Sequence, residues 1–178
     1  MVKSLGMCFK LSVMLITTAL AQGITDKECA VFGDSEVVCI CKSIEPITEE
    51  DRMLMAKCVY IEARGESTLC QSHVCSVLYN RYKSGKYESM EDVIYAPTQF
   101  ATNHFDSVSE EDLTDILKIV DSVVDDGPTL PEYVIYFRAD EYHKMRDAAD
   151  FIYVDSTYFS YSRELFDKYT GGPTNDFD

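Results

Sequence analysis

Packing does not readily account for the placement of Glu62. Met55, Cys58, Val59 and Glu62 fall on one stripe at i, i+3, i+4 and i+7, so the periodicity that buries the first three also turns the carboxyl inward. A carboxyl group on an apolar face loses water, desolvation favours its protonated form, and a protonated carboxyl donates to a leaving oxygen. Glu62 therefore fits a general acid, unless Arg64 or Arg81 pairs with it or the helix end frays and solvates it. A second carboxyl, Glu66, would sit one turn further along the same face if the helix continued, but Gly65 makes a break the expectation. The only histidines are His73, His104 and His143, and none falls in a compact CxxC or HxxxH cluster. No metal or other cofactor is expected.

The elements that must hold these groups are legible from caps and periodicity. Thr48-Glu49-Glu50-Asp51 places an N-cap residue three positions before a carboxylate and fills the first turn with acids, so a helix starts there. Thr68-Leu69-Cys70-Gln71 is a second capping-box candidate, followed by Cys70, Val74, Val77, Leu78 and Arg81 at helical spacing. The motif is helix, tight bend at Gly65, helix. A third helix is expected from Ser109, with Asp112 three residues on, a buried face of Leu113, Ile116, Leu117, Val120 and Val124, and a stop at Gly127-Pro128. Tyr133–Phe137, Phe151–Val154 and Thr157–Phe159 are aromatic and β-branched and predict two or three short strands. Strand alternation would put Tyr136 on a face with Val134, and Tyr133 with Ile135.

At 178 residues, 46% apolar and 26% charged, the chain has the composition of one globular domain plus a processed segment. Lys3 and Lys10, the apolar run Leu11 to Leu20 and the small-x-small Ala19-Leu20-Ala21 read as a signal peptide, residues 1–21, too short to span a bilayer comfortably. The expected location is secreted or periplasmic. Residues 22–47 read as a Cys-containing N-terminal extension, 48–165 as the catalytic domain and 166–178 as a flexible tail. Cleavage removes Cys8 and leaves Cys29, Cys39, Cys41, Cys58, Cys70 and Cys75, an even set that in an exported protein reads as three disulfides of open connectivity. A net charge of -15, more negative once Lys3 and Lys10 leave, repels nucleic acid and anionic lipid and excludes both as partners. No stable membrane insertion is expected after cleavage, and the chain is expected to be a monomer.

Tyr60-Ile61-Glu62-Ala63-Arg64-Gly65-Glu66 is similar to the YxEARGE signature of the SleB-type cell-wall hydrolases, the family of spore-cortex-lytic enzymes. Three further segments agree in order. Cys70–Arg81 resembles the family's GQVAVAxVxxNR helix, Val93–Phe100 its VIYxPxQF segment, and Tyr136-Phe137 with His143 its later aromatic strand. The resemblance implies an α+β, lysozyme-like fold, mostly helical with a small β-sheet, in which the helix carrying Glu62 lines a glycan cleft. The cysteines add the expectation that it is disulfide-stabilised. It further implies that Glu62 protonates the glycosidic oxygen between N-acetylmuramic acid and N-acetylglucosamine in peptidoglycan glycan strands, the expected partner. Whether water or a hydroxyl of the same sugar then attacks separates muramidase from lytic transglycosylase, and Glu66 is the candidate second carboxylate. In this frame Gln99 would bind a sugar acetamido or hydroxyl group and Tyr136 would line the cleft, while Phe100 is the better candidate for core. Arg81 would neutralise a buried carboxylate or bind one on a peptide stem. The chain departs from the family in having no tryptophan, in its six cysteines, and in reading Asp155-Ser156-Thr157-Tyr158-Phe159 where a Gly-Asn-His-x-Phe-like end is usual.

Two other classes fit parts of the sequence. A catalytically inactive wall-binding or inhibitor-like module would fit the acidic surface and altered C-terminal motif. An amidase or peptidase acting on peptide stems would need a Cys-His pair, against which the even cysteine count speaks.

Overall fold

Thr48 caps the first helix of the larger of two units into which the computed structural model divides the chain, Met1–Ser43 and Ile44–Asp178. The structure describes residues 27–32, 36–41, 45–139 and 147–171, the first two stretches by backbone alone. The signal-peptide residues, Cys8, His143 and the last residues of the expected tail lie outside them. In the first unit, where the sequence has no sustained periodicity, β1 (Lys27–Phe32) and β2 (Glu36–Cys41) pair antiparallel with Cys29 opposite Cys39.

The larger unit is mostly helical. In α1 (Glu49–Ala63) the Thr48 hydroxyl accepts from the Asp51 N–H at 3.1 Å while the Asp51 carboxylate accepts from the Thr48 N–H at 2.9 Å. This reciprocal cap satisfies two donors that a helix start otherwise leaves without partners. Gly65, at φ +93°, turns the chain after α1 through a conformation that side-chain-bearing residues rarely adopt. In α2 (Thr68–Lys83) the cap is Ser67, one residue before the expected Thr68, and its hydroxyl accepts from the Cys70 N–H. Gln71 does not close a capping box. Its side chain donates to the Ala63 carbonyl at 3.3 Å and ties the start of α2 to the end of α1.

A short α3 (Met90–Ile94) and a 3-10 turn (Thr102–Ser107) lead to α4 (Glu110–Asp126), capped by Ser109 and Asp112 as expected and stopped at Gly127. The buried face of α4 is Leu113, Ile116, Val120 and Val123. Leu117 and Val124, expected on it, flank the stripe and are partly buried. The alternating 3-4 spacing keeps a narrower seam than the sequence pattern allows. Arg52 on α1 pairs with Asp121 at 2.8 Å and with Asp125, both on α4, which fixes the register of the two helices. The core gathers Met55 and Val59 of α1, Val74, Val77 and Leu78 of α2, Val93 and Ile94 of α3, and Phe159. Each such side chain contributes about 1.5–3 kcal/mol by leaving water.

Cys58, Cys70 and Cys75 belong to the same core as free, fully buried thiols. The expected disulfides are corrected for these three, which are free: Cys58 and Cys75 pack in the apolar core as small hydrophobes, and Cys70 is buried beside Glu66, Asp155 and Thr157. The side chains of Cys29, Cys39 and Cys41 lie outside the described residues. No helix among the described residues is long and apolar enough to cross a membrane.

Strands β3 (Val134–Arg138), β4 (Ala148–Val154) and β5 (Thr157–Ser162) form an antiparallel sheet in the order β3-β5-β4. The expected alternation along β3 does not hold. The register steps from Val134↔Tyr161 to Tyr136↔Ser160, so Ile135 is an extra residue, and Val134 and Ile135 are both buried. β4 carries a matching irregularity between Asp150 and Ile152. After β5 the chain forms α5 (Arg163–Thr170), which takes ordered structure past the expected boundary at residue 165. The architecture is α+β, helical with one small sheet, as the sequence implies.

Candidate functional site

The last turn of α1 delivers Glu62 to the edge of the core, partly buried, one turn after the fully buried Cys58 and Val59. Its Oε1 accepts a hydrogen bond of 2.9 Å from the backbone N–H of Ala101. Neither arginine that could have neutralised it does so. Arg64 lies over the Tyr60 ring at 5.6 Å, and Arg81 donates through Nε to the Ile135 carbonyl at 2.7 Å. Among the described residues no cation pairs with Glu62. The Cys58 thiol is pushed well above its ordinary value, by burial first and then by the charge of Glu62, with Arg81 acting the other way. Both ionic groups thus lie within electrostatic reach of one buried sulfur.

The segment that holds Glu62 is the one carrying Gln99 and Phe100. It turns at Ala96, whose carbonyl accepts from the Gln99 N–H at 3.2 Å, and at Thr98, a non-glycine residue at φ +63°. Gln99 is exposed, two residues before Ala101, and its side chain makes no hydrogen bond among the described residues. Phe100 is partly buried and stacks on Phe137 of β3 at 6.0 Å and 29°. The Arg81 guanidinium lies 5.1 Å from the Phe100 ring centroid and 5.8 Å from that of Tyr136. Arg81 therefore joins the two aromatic residues and is anchored through Nε on a backbone carbonyl.

Glu66 does not share a helical face with Glu62, because α1 ends at Ala63 and Gly65 redirects the chain. Its Oε1 accepts from the Ser156 hydroxyl at 2.7 Å. Asp155, also in the β4–β5 turn, accepts from the Ser67 N–H at 2.9 Å and the Ser67 hydroxyl at 2.6 Å. Those Ser67 bonds hold the Asp155 carboxyl below its usual range. The altered sequence Asp155-Ser156 thus clasps the hairpin tip to the α1–α2 bend. One donor atom each from Glu66, Cys70 and Asp155 lie within 4.8 Å of one another. Both carboxylates are engaged by serines, and burial and the two negative charges raise the Cys70 thiol while the Thr157 hydroxyl lowers it. This set is accounted for as the clasp.

The remaining motif residues are structural. Tyr60 donates to Asp112 at 2.9 Å and joins α1 to the cap of α4. Asn80 is buried and donates to the carbonyls of Pro131 at 2.8 Å and Val134 at 3.0 Å, fixing the entry to β3. His73 is buried, with Nδ1 2.8 Å from the Thr129 hydroxyl and its ring edge-on to Phe159, and burial lowers its pKa. Sequence reasoning did not find Ala101, whose contribution is a backbone N–H, or the role of Arg81. The run Gln99-Phe100-Ala101 was the available signal.

The helix pair, the bend at Gly65 and the three-stranded sheet make an α+β fold that sets Glu62, without a cationic partner among the described residues, beside the exposed Gln99 segment. The fold is similar to the catalytic domain of the germination-specific lytic transglycosylase SleB from Bacillus anthracis, with a TM-score of 0.53, 21% identity, and coverage of 63% of this chain and 94% of that one. No protein-family model and no curated protein sequence matches the chain.

Proposed function

We propose that this chain cleaves the glycan strands of peptidoglycan, with Glu62 as general acid. The observation that carries the reading is the state of Glu62: partly buried, without a cationic partner among the described residues, and held through one oxygen by the Ala101 N–H. A carboxyl so placed can give its proton to a glycosidic oxygen as the bond to the anomeric carbon breaks. Gln99 and Tyr136 are the proposed substrate contacts, Gln99 because its exposed amide is two residues from the Glu62 anchor. Glu66 keeps a place at the rim through its remaining oxygen.

The anhydro-forming route is the finer proposal. Inverting or retaining hydrolysis requires a second carboxylate facing the sugar, and Glu66 and Asp155 are turned to the Ser156 and Ser67 hydroxyls. With one glutamate, a hydroxyl of the same sugar attacks the anomeric carbon and Glu62, now a carboxylate, takes the proton that hydroxyl loses. The thiols of Cys58, Cys70 and Cys75, buried and raised in pKa, give a stem peptidase no accessible nucleophile among the described residues. Mass spectrometry of fragments released from purified peptidoglycan is the test. Anhydro ends from wild type and none from Glu62→Gln are expected. Reducing ends would replace the finer proposal by hydrolysis, and equal release by Glu62→Gln would end the reading altogether.

A further inference from the structure

We propose that Arg81 is a positioning residue for the acid, acting through the Phe100-Ala101 segment; the proposal rests on the reading of Glu62 as the proton donor. Arg81 is 6% exposed, which removes it from contact with a polymeric substrate. Its Nε is spent on the Ile135 carbonyl at 2.7 Å. That carbonyl is open to a side chain because Ile135 is the extra residue of the β3 bulge and has no partner across the strands. The bulge and the arginine therefore explain each other. With its Nε fixed on β3, the guanidinium carbon lies over the Phe100 ring at 5.1 Å and over the Tyr136 ring at 5.8 Å.

Phe100 also stacks on Phe137, and the next residue supplies the N–H that fixes Glu62 Oε1. The path from Arg81 to the carboxyl is one ring and one peptide bond long. A lysine keeps the charge but has neither the planar face nor the Nε fork, so it cannot stack on an aromatic ring and hold the carbonyl together. The same group braces both Phe100, which sets the acid, and Tyr136, a proposed substrate contact. The site is thus ordered from behind by a buried cation that touches neither substrate nor acid.

The test uses Arg81→Lys, Arg81→Met and, as a variant that severs the link from the other side and keeps a core-compatible side chain, Phe100→Leu. Amide hydrogen exchange at Ala101 is expected to accelerate by about tenfold or more relative to the amides of α4 in each folded variant. On peptidoglycan, kcat per folded molecule is expected to fall by about tenfold or more while KM stays within about threefold, the signature of a lost transition-state geometry. A purely structural role would lower the folded fraction and leave both ratios at their wild-type values. Unchanged Ala101 exchange in the folded variants overturns the proposal whether or not the protein cleaves glycan, and so does an unchanged kcat. Absence of cleavage by wild type with accelerated exchange at Ala101 would instead sink the functional reading and leave Arg81 as the brace of this segment.

Discussion

Replacing Ala101 by proline deletes one hydrogen bond at the candidate site without removing a functional side chain. Ala101 is exposed and has φ -82°, close to the value of about -65° that a proline ring imposes, so the substitution removes the N–H at modest local cost. The lost bond is the 2.9 Å contact to Glu62 Oε1. Hydrogen bonds contribute about 0.5–3 kcal/mol, and partial exposure of Glu62 places this one at about 1–2 kcal/mol. Proline also restricts Phe100, which a single variant would not separate from the bond. A double-mutant cycle with Glu62→Ala does so, because the restriction on Phe100 is common to both arms. Urea unfolding of the four proteins at neutral pH should return a coupling of about 1–2 kcal/mol, equivalent to a shift of roughly 3–8 °C in Tm. A coupling below about 0.4 kcal/mol, within the additivity error of independent sites, would refute the link between Ala101 and the acid. In a cleavage assay the Ala101→Pro protein should lose about 5- to 30-fold in kcat, since each tenfold corresponds to about 1.4 kcal/mol.

Other substitutions test the frame around the site. Asn80→Ala leaves the buried carbonyls of Pro131 and Val134 without their donor and should cost about 2–4 kcal/mol, read as a lower midpoint in urea. His73 is held neutral in the fold by burial, below its ordinary value of 6.5. The unfolded chain therefore binds the proton first as pH falls, and stability should be constant above about pH 6.5 and decline below it. His73→Gln should lack that contribution, so the stability difference between the two proteins, measured from pH 8 to 5, should be constant above about pH 6.5 and change below it. Cys58, Cys70 and Cys75, all fully buried, should resist alkylation in the native protein and label together in denaturant, as mapped by peptide mass; rapid native labelling of any one would contradict its packing.

Features set by local chemistry were legible in the sequence. Thr48 and Asp51, the stripe Met55-Cys58-Val59 and the break at Gly65 lie close along one chain segment, so α1 and the inward turn of Glu62 could be read from spacing. Features set by a partner far along the chain were not. The Ala101 N–H that holds Glu62 belongs to the backbone and leaves no trace in residue type. The bulge at Ile135 depends on register with β5, which the composition of β3 does not encode. Arg81 read as a partner for a carboxylate because that is the usual fate of a buried arginine, and the carbonyl that its Nε reaches at the bulge has no trace in the residue types of β3. Ser67 displaced Thr68 as a cap because both are competent and the choice rests on Asp155, across the fold. α5 was hidden by polar residues leading into Gly171-Gly172-Pro173, and the even number of cysteines pointed to disulfides where three of them are buried as free thiols.

The two irregularities of the sheet fall at one level. Ser160 of β5 faces Tyr136 on one side, next to the extra Ile135, and Asp150 on the other, next to the extra Phe151. Both outer strands therefore take a longer path than the central strand past the same residue, and the bends they impose run across the sheet as a single crease. The crease sets the phase of everything beyond it, from Tyr136 and Phe137 on one edge to Ile152 and Tyr153 on the other. Strand length at this point is consequently a shared property of β3 and β4: shortening either one alone would shift its far half by one residue, turn its side chains to the opposite face, and leave its neighbour folded for a sheet that no longer exists.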